Sequence, residues 1–397
     1  MKIFRKECSV FYGPAVTTRA WKERRLPLLN PASSKRMFRL AEAFQIQGRR
    51  CFILTPGIMP RIGFSGKVFR PLAEKIGSVP VITSKQWEVP WIGYMLTPIT
   101  VVLALIKIAC RRRIKTLVQY SFYPDAVMAA IFCKLFFQSK VILDCEDISI
   151  PSLRDWKRGS ETRPVQQIWA WFLMRVSFFL ANTIIVPSRK FSVAIAAKKK
   201  IIVISGCQRV TRQVLPTTDR ITVLLNGGLS RENGVDIFIN ALKKLDDRPR
   251  LFDVKICGYG ECRDWIAKEI SQFKNIKVEL YGTLSNEEYL KLLDSSDVCV
   301  ALQNPNGRHG QYKTPSKGYE ALCSGKALIV SDIGDFDLLP DNICYHVRPY
   351  SDKQVADILQ GLRRNGVNVV REAASSWSDS HYNISVVRQR ILERKCL

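Results

Sequence analysis

Chemistry is concentrated in the stretch from Lys313 to Asp332, Lys313-Thr-Pro-Ser-Lys-Gly-Tyr-Glu-Ala-Leu-Cys-Ser-Gly-Lys-Ala-Leu-Ile-Val-Ser-Asp332. Pro315 and Ser316 read as the entry to a helix, with Ser316 placed to cap free backbone N–H groups. Gly325 ends that helix and a buried strand follows. A helix start carries partial positive charge and unsatisfied donors, so it can hold a phosphate, and Lys317 adds a full charge. Glu320 falls one turn on, on the side of Ser316 and Lys317, where a carboxylate can accept both hydroxyls of a ribose. The plainer alternative is a capped core helix with an incidental surface glutamate.

A second acidic feature is Asp144-Cys-Glu-Asp147, at the end of the apolar run Val141–Leu143. Carboxylates at the carboxyl end of a parallel strand face the ligand side of such a sheet. Glu146 and Asp147 are therefore candidates for the catalytic groups that orient an acceptor hydroxyl. Solvated or capping acids are the bland reading. A metal site is the remaining one, although oxygen-ligand sites want more carboxylates at defined spacing. Asn30–Ser34 offers backbone donors and hydroxyls at a helix start, followed by Lys35 and Arg36. Ser33, Ser34, Lys35 and Arg36 are candidate acceptor-side residues, or else a capped helix with solvated cations.

The elements that must position these groups alternate along the whole chain. Cys51–Leu54, Thr116–Gln119, Lys140–Leu143 and Thr183–Val186 read as strands of a first half. Ile221–Leu225, Phe252–Ile256, Val278–Leu280, Val298–Val300 and Ala327–Val330 read as strands of a second. Helical stretches lie between them: Ser33–Gln47, Pro124–Phe137, Pro164–Ala181, Gly234–Leu245, Ser285–Ser295 and Lys317–Ser324. Such alternation builds parallel sheets covered on both faces. Ser188–Pro216 interrupts the rhythm. The expected division is a first α/β domain over 1–205, a second over 206–375, and a closing helix within 376–397 that returns to the first.

The charge agrees with two domains of different partners. The chain of 397 residues carries a net +26, and residues 1–200 hold 34 Lys and Arg against 11 Asp and Glu, whereas 201–397 hold 27 against 24. Trp87, Trp91, Trp156, Trp169 and Trp171 sit among the basic clusters of the first half. Basic residues are drawn to anionic lipid and Trp favours the headgroup region, so this half reads as membrane- and acceptor-facing. Dispersed cations without a nucleic-acid module argue against a nucleic-acid partner.

Trp91–Cys110 reaches spanning length, but Pro98, two Thr and Lys107 interrupt it, so it reads as a buried or interface-lying helix. Pro164–Ala181, apolar around most of its circumference, reads as buried. The twelve cysteines are scattered, with no C-x-x-C pair and no zinc spacing, the usage of reduced thiols in a cytoplasmic protein.

Pro315-Ser316-Lys317-x-x-Glu320-x-x-x-x-Gly325-Lys326 followed by Ala-Leu-Ile-Val resembles the donor-binding segment of family 4 glycosyltransferases of the GT-B fold. Other pieces resemble that family in the same order. They are Asn30–Phe44 with Gly48, Gly227-Gly-Leu-Ser-Arg-Glu-Asn-Gly-Val-Asp236, Cys257-Gly-Tyr-Gly260 with Tyr281–Ser285, and Ser376-Trp377-Ser378. The resemblance implies two tandem Rossmann-like, doubly wound domains facing a cleft. It also implies transfer of a sugar from a nucleotide-sugar to a hydroxyl with retention at the anomeric carbon, and no bound metal or other cofactor. The expected acceptor is a lipid-linked saccharide of a surface polysaccharide, and the expected location is the cytoplasmic face of a membrane.

Three departures stand out. Tyr312 replaces the first of the family's two glutamates, and Gly228 and Asn233 stand where it places an Arg and a Lys. The family's frequent histidine of the first domain has no counterpart in Gln119–Asp125. Diphosphate contacts then fall to Arg231, Arg308, Lys313 and Lys317, beside Gly227, Gly228, Ser316 and Glu320. A binding protein without catalysis, or a basic membrane or nucleic-acid adaptor, are the alternative readings.

Overall fold

The computed structural model describes residues 6–24, 31–45, 49–56, 67–87, 92–146, 164–195, 200–208, 220–247, 252–306 and 314–394. The chain divides into two units. One is Met1–Val186 with Ile195–Cys207 and Val387–Leu397; the other is Pro187–Ala194 with Gln208–Val386.

The first unit opens with β1 (Glu7–Tyr12), α1 (Thr18–Arg24), α2 (Pro31–Ala43) and β2 (Arg50–Thr55). Short strands β3 (Val68–Phe69), β4 (Leu72–Ile76), β5 (Val79–Thr83) and β6 (Gln86–Trp87) follow. Then come α3 (Ile92–Arg111), β7 (Arg113–Tyr120), α4 (Pro124–Phe137), β8 (Lys140–Asp144), α5 (Pro164–Leu180) and β9 (Thr183–Val186), and, after α6 (Arg189–Ile195), which belongs to the second unit up to Ala194, β10 (Lys200–Val203). The sheet runs β10-β9-β8-β7-β1-β2-β5-β4, parallel except where β4 returns against β5. β8 and β9 are buried almost throughout, as strands covered on both faces are. Right-handed crossovers that move in opposite directions from β1 place α2 on one face and α3, α4 and α5 on the other.

Three features depart from the sequence reading. Glu7–Tyr12 is the central strand, although its charged flank hides it. The hairpin β4–β5 extends the sheet. Ser188–Pro216, expected as a break, contains α6 and β10, and β10 pairs in register with β9, Lys200 opposite Thr183.

The second unit contains β11 (Ile221–Gly228), α7 (Val235–Lys243), β12 (Phe252–Tyr259), α8 (Arg263–Ile270), β13 (Lys277–Tyr281), α9 (Asn286–Asp294) and β14 (Val298–Ala301). It continues with α10 (Ser316–Cys323), β15 (Ala327–Ser331), β16 (Tyr345–Val347), α11 (Asp352–Gly361) and α12 (Arg364–Tyr382). Its parallel sheet runs β13-β12-β11-β14-β15-β16, the doubly wound order 3-2-1-4-5-6. Buried Asp297 staples the strand-start edge, accepting from the Thr222 amide at 2.9 Å, Arg364 at 2.8 Å and Arg371 at 3.3 Å.

Helix α13 (Ile384–Glu393) carries the chain from the second unit into the first, to which it belongs from Val387 on. There Arg388 donates to the carbonyls of Glu42 at 3.1 Å and Ala43 at 3.3 Å. These are among the last carbonyls of α2, which have no partner within their own helix.

Candidate functional site

In a doubly wound sheet ligands bind beyond the strand carboxyl ends, where the chain reverses its direction of strand addition. In the second unit that point lies between β11 and β14, which pair through Leu224 and Cys299. α10 arrives there directly after β14. Its start falls one residue earlier than the sequence suggests: the N-cap is Pro315, with no side-chain cap. Ser316 is thus the first helical residue and exposed, so it does not cap the helix; proline fixes the entry through its φ angle instead. At the other end Gly325 adopts φ +63°. The Lys326 amide bonds the Ala321 carbonyl and the Gly325 amide that of Leu322, a Schellman closure that needs a residue free to enter the left-handed region. Gly318 lies against Phe336, whose ring atom a Cβ would meet at 2.5 Å.

Lys317 is half-buried, and its stem passes 3.8 Å from where a Cβ on Gly227 would stand. Burial lowers its ammonium to about 8. Burial also pushes the thiols of Cys257 and Cys299, its neighbours, up to about 11 and about 12. They are neutral near pH 7 and supply Lys317 with no negative charge. Gly227, at φ +106°, and Gly228 are exposed at the end of β11. The turn after them is closed by Ser230, which accepts from the Asn233 amide, and by the Asn233 side chain, which donates to the Gly228 carbonyl at 2.9 Å. Asn233 is therefore a structural brace of the loop rather than a diphosphate cation. Arg231 is exposed on the same turn. Gly258 lets β12 approach: a Cβ there would stand 1.9 Å from the Gly227 carbonyl oxygen.

Glu320 has partners the sequence reading missed. Tyr289, on α9, donates its hydroxyl to Glu320 Oε2 at 2.8 Å, and Asn226 Nδ2 donates to the Tyr289 oxygen at 2.9 Å. Burial, then the Glu320 charge, hold the Tyr289 phenol well above its ordinary value. The relay fixes the carboxylate of Glu320 from behind. One signal was present: Ser285 and Glu288 form a capping box that sets the phase of α9, and hence which side Tyr289 occupies. Nothing local linked it to Glu320.

In the first unit the reversal lies between β1 and β7. Gly13 allows close packing there, since a Cβ would meet that of Tyr120 at 2.6 Å. Tyr12 donates to Asp125, and Tyr120 donates to Glu146 Oε2 at 2.5 Å. Arg36 is buried against Asp144, with Nη2 2.9 Å from Oδ1, and also donates to the Ile204 carbonyl. Burial opposes the Arg36 charge, but Asp144 and Glu146 overcome it and hold the guanidinium firmly protonated. Ser34 accepts from the Val16 amide at 3.1 Å. Ser34 and Arg36 are thus engaged inside the unit. Ser33 is buried beside them, and Lys35 is half-exposed. Asp147, Arg308, Tyr312 and Lys313 lie outside the described residues. Among the described residues no group of three or more His, Cys, Asp or Glu side chains could hold a metal ion.

Residues 220–365 match the family model described as glycosyl transferases group 1. No curated protein matches the sequence. Among solved structures, sucrose-phosphate synthase from Thermosynechococcus elongatus aligns with a TM-score of 0.66 at 13% identity, over 99% of each chain. The Anabaena protein HepE, in complex with UDP and glucose, aligns at 0.59 and 14% identity, again over 99% of each. The catalytic domain of starch synthase IV from Arabidopsis thaliana, bound to ADP and acarbose, aligns at 0.62 and 12% identity, over 99% of this chain and 100% of that one. The chain has the GT-B fold of these structures.

Proposed function

We propose that the chain is a nucleotide-sugar-dependent glycosyltransferase whose second unit holds the donor. The observation that carries this is the grouping of Lys317, Gly227 and the Tyr289-braced Glu320 at the reversal point of a 3-2-1-4-5-6 sheet. The start of α10 and Lys317 receive the diphosphate, the bare backbone of Gly227 and Gly228 permits close approach, and Glu320 accepts the ribose hydroxyls. Ser316, Arg231, Arg308 and Lys313 complete the donor contacts. The structures of HepE with UDP and of starch synthase IV with ADP, on the same fold, support a nucleoside diphosphate as the ligand.

In the reaction the bond from the anomeric carbon to the diphosphate oxygen breaks. A bond to the acceptor hydroxyl oxygen forms with the configuration retained, its O–H bond breaks, and the proton departs with the nucleoside diphosphate. Negative charge grows on the departing oxygen, which Lys317 and the α10 amides offset. Glu146, held by Tyr120, and Asp147 orient the acceptor hydroxyl in the first unit, where Ser33, Ser34, Lys35 and Arg36 shape the acceptor side. We assign no metal or other cofactor to the chemistry. The basic first half favours an acceptor saccharide carried on a lipid, in the assembly of a surface glycan at the cytoplasmic face of an anionic membrane.

The test is a panel of UDP-, ADP- and GDP-sugars read by thermal shift, since a ligand of the native state raises its stability. One of them should stabilise the protein, and Glu320→Ala and Lys317→Ala should each abolish that shift while the fold survives. Unchanged binding by both variants would overturn the site. A second reading rests on Gly228 and on Asn233, whose side chain is spent on the Gly228 carbonyl: a protein that binds the nucleotide-sugar without turnover. Donor binding with no sugar transfer or hydrolysis would favour it.

A further inference from the structure

Helices α3, α4 and α5 lie side by side on one face of the first unit's sheet. Their inner sides supply core residues: Val101 and Leu105 from α3, Ala126 and Ala130 from α4, Leu173 and Leu180 from α5. The outer sides of such helices are ordinarily polar. Here they are not. On α3, Met95, Ile99, Leu103 and Ile106 form one outward stripe at spacings of four, four and three residues, with Met95 75% exposed. On α4 the outward residues include Met128, Leu135 and Phe136. On α5 they are Ile168, Trp169, Trp171, Phe172 and Phe179, the last 77% exposed. Among the described residues these three helices hold 12 of the 22 exposed large apolar side chains. The expectation that Pro164–Ala181 is buried therefore fails for its outer side.

Charge identifies the occupant. The three helices contain a single acid, Asp125, and it is occupied by the Tyr12 hydroxyl. Every other charge on them is a cation. Arg175 lies over the Trp171 ring at 5.1 Å, joining a positive head to an interfacial aromatic. Where the helices end and the strands begin stand Arg111, Arg112, Arg113, Lys115 and Lys140, with Glu7 the acid among them, 3.6 Å from Lys115. No helix among the described residues is long and apolar enough to cross a membrane. An apolar face with aromatic residues, a basic margin and almost no acid suits a helix layer that lies in the plane of a negatively charged lipid surface.

We infer that the outer face of α3, α4 and α5 docks the protein on an anionic bilayer. This deepens the membrane part of the reading above and rests on it, naming the surface by which the first unit meets lipid.

The test is flotation of the full chain with vesicles of phosphatidylcholine alone, or with one-third phosphatidylglycerol. The protein should float with the anionic vesicles, and raised salt should release it about tenfold, because surface charge is screened. Leu103→Glu with Phe172→Glu, and separately Arg111→Glu with Arg113→Glu, should each weaken flotation at least about tenfold. Val369→Glu, at an exposed apolar position of the second unit, should leave it unchanged. Circular dichroism and melting establish that each variant is folded. Absence of flotation by the unsubstituted chain would overturn the inference. So would flotation untouched by both double variants, or a dimer that these variants dissociate without changing lipid binding. Nucleotide-induced stabilisation, read on the same samples, separates the two readings: a chain that binds nucleotide but not lipid overturns the surface alone, and one that floats without binding nucleotide overturns the donor site alone.

Discussion

Glu320 is held by a phenol, and the phenol by an amide. Tyr289→Phe removes the hydroxyl between Asn226 and Glu320 without changing the packing of the ring. A hydrogen bond to a charged group contributes about 1.5–3 kcal/mol. The expected outcome is a roughly tenfold loss of donor affinity by calorimetry, with the melting temperature lowered by several degrees. Lys317 supplies a pH dependence. Because burial lowers its ammonium to about 8, it is charged below that pH and neutral above it. Nucleotide affinity should hold up to about pH 7.5 and fall as pH rises through 8 to 9, and Lys317→Met should flatten that profile. The same shift has a stability consequence of opposite sense. The unfolded chain binds the proton more tightly, so this group's contribution to stability rises as pH increases from about 8 towards 10.5.

At the scale of elements, the strand ends of the first unit depend on one buried ion pair. Arg36 on α2 meets Asp144 at the end of β8, across 108 residues of chain. Replacing one partner leaves the other charged and enclosed, which costs about 3–5 kcal/mol. Asp144→Asn is expected to shift the denaturation midpoint accordingly, whereas Arg36→Met combined with Asp144→Leu should recover much of the loss, since no buried charge is then stranded. If the single variant proved as stable as the parent, the pair would not be organising these elements. In the second unit the equivalent organiser is glycine: Gly258 lets β12 close on the Gly227 backbone of β11, where a side chain has no room.

Across the whole molecule the chain does not finish in the unit it last builds. From Val387 it belongs to the first unit, where Val387 itself is fully buried. Val387→Asp would enclose an unpaired carboxylate. It should raise hydrogen exchange in β1, β2 and α2, while calorimetric donor binding by the second unit persists. Loss of donor binding to the same degree would show that the two units do not carry stability separately. The net charge is divided in a similar way: the half that carries the apolar helix face is strongly positive chiefly because it holds 11 acids against 24 in the other.

The amino-acid sequence by itself determined the rhythm of strands and helices, and the helix that begins beside Ser316 and ends at Gly325. These are local matters, set by β-branched runs, proline entry and a glycine that can turn left-handed within a few residues. It left Glu7–Tyr12 and Lys200–Val203 unread, because a charged flank or a lysine run masks a short apolar strand until its neighbours in the sheet are known. It could not join Tyr289 and Asn226 to Glu320, or Arg36 to Asp144. Such contacts depend on which strands lie side by side, and strand order is a property of the folded sheet rather than of any window of sequence. Nor could it tell which side of α5 is covered: a helix apolar around most of its circumference has no preferred inner face until the sheet beneath it chooses one.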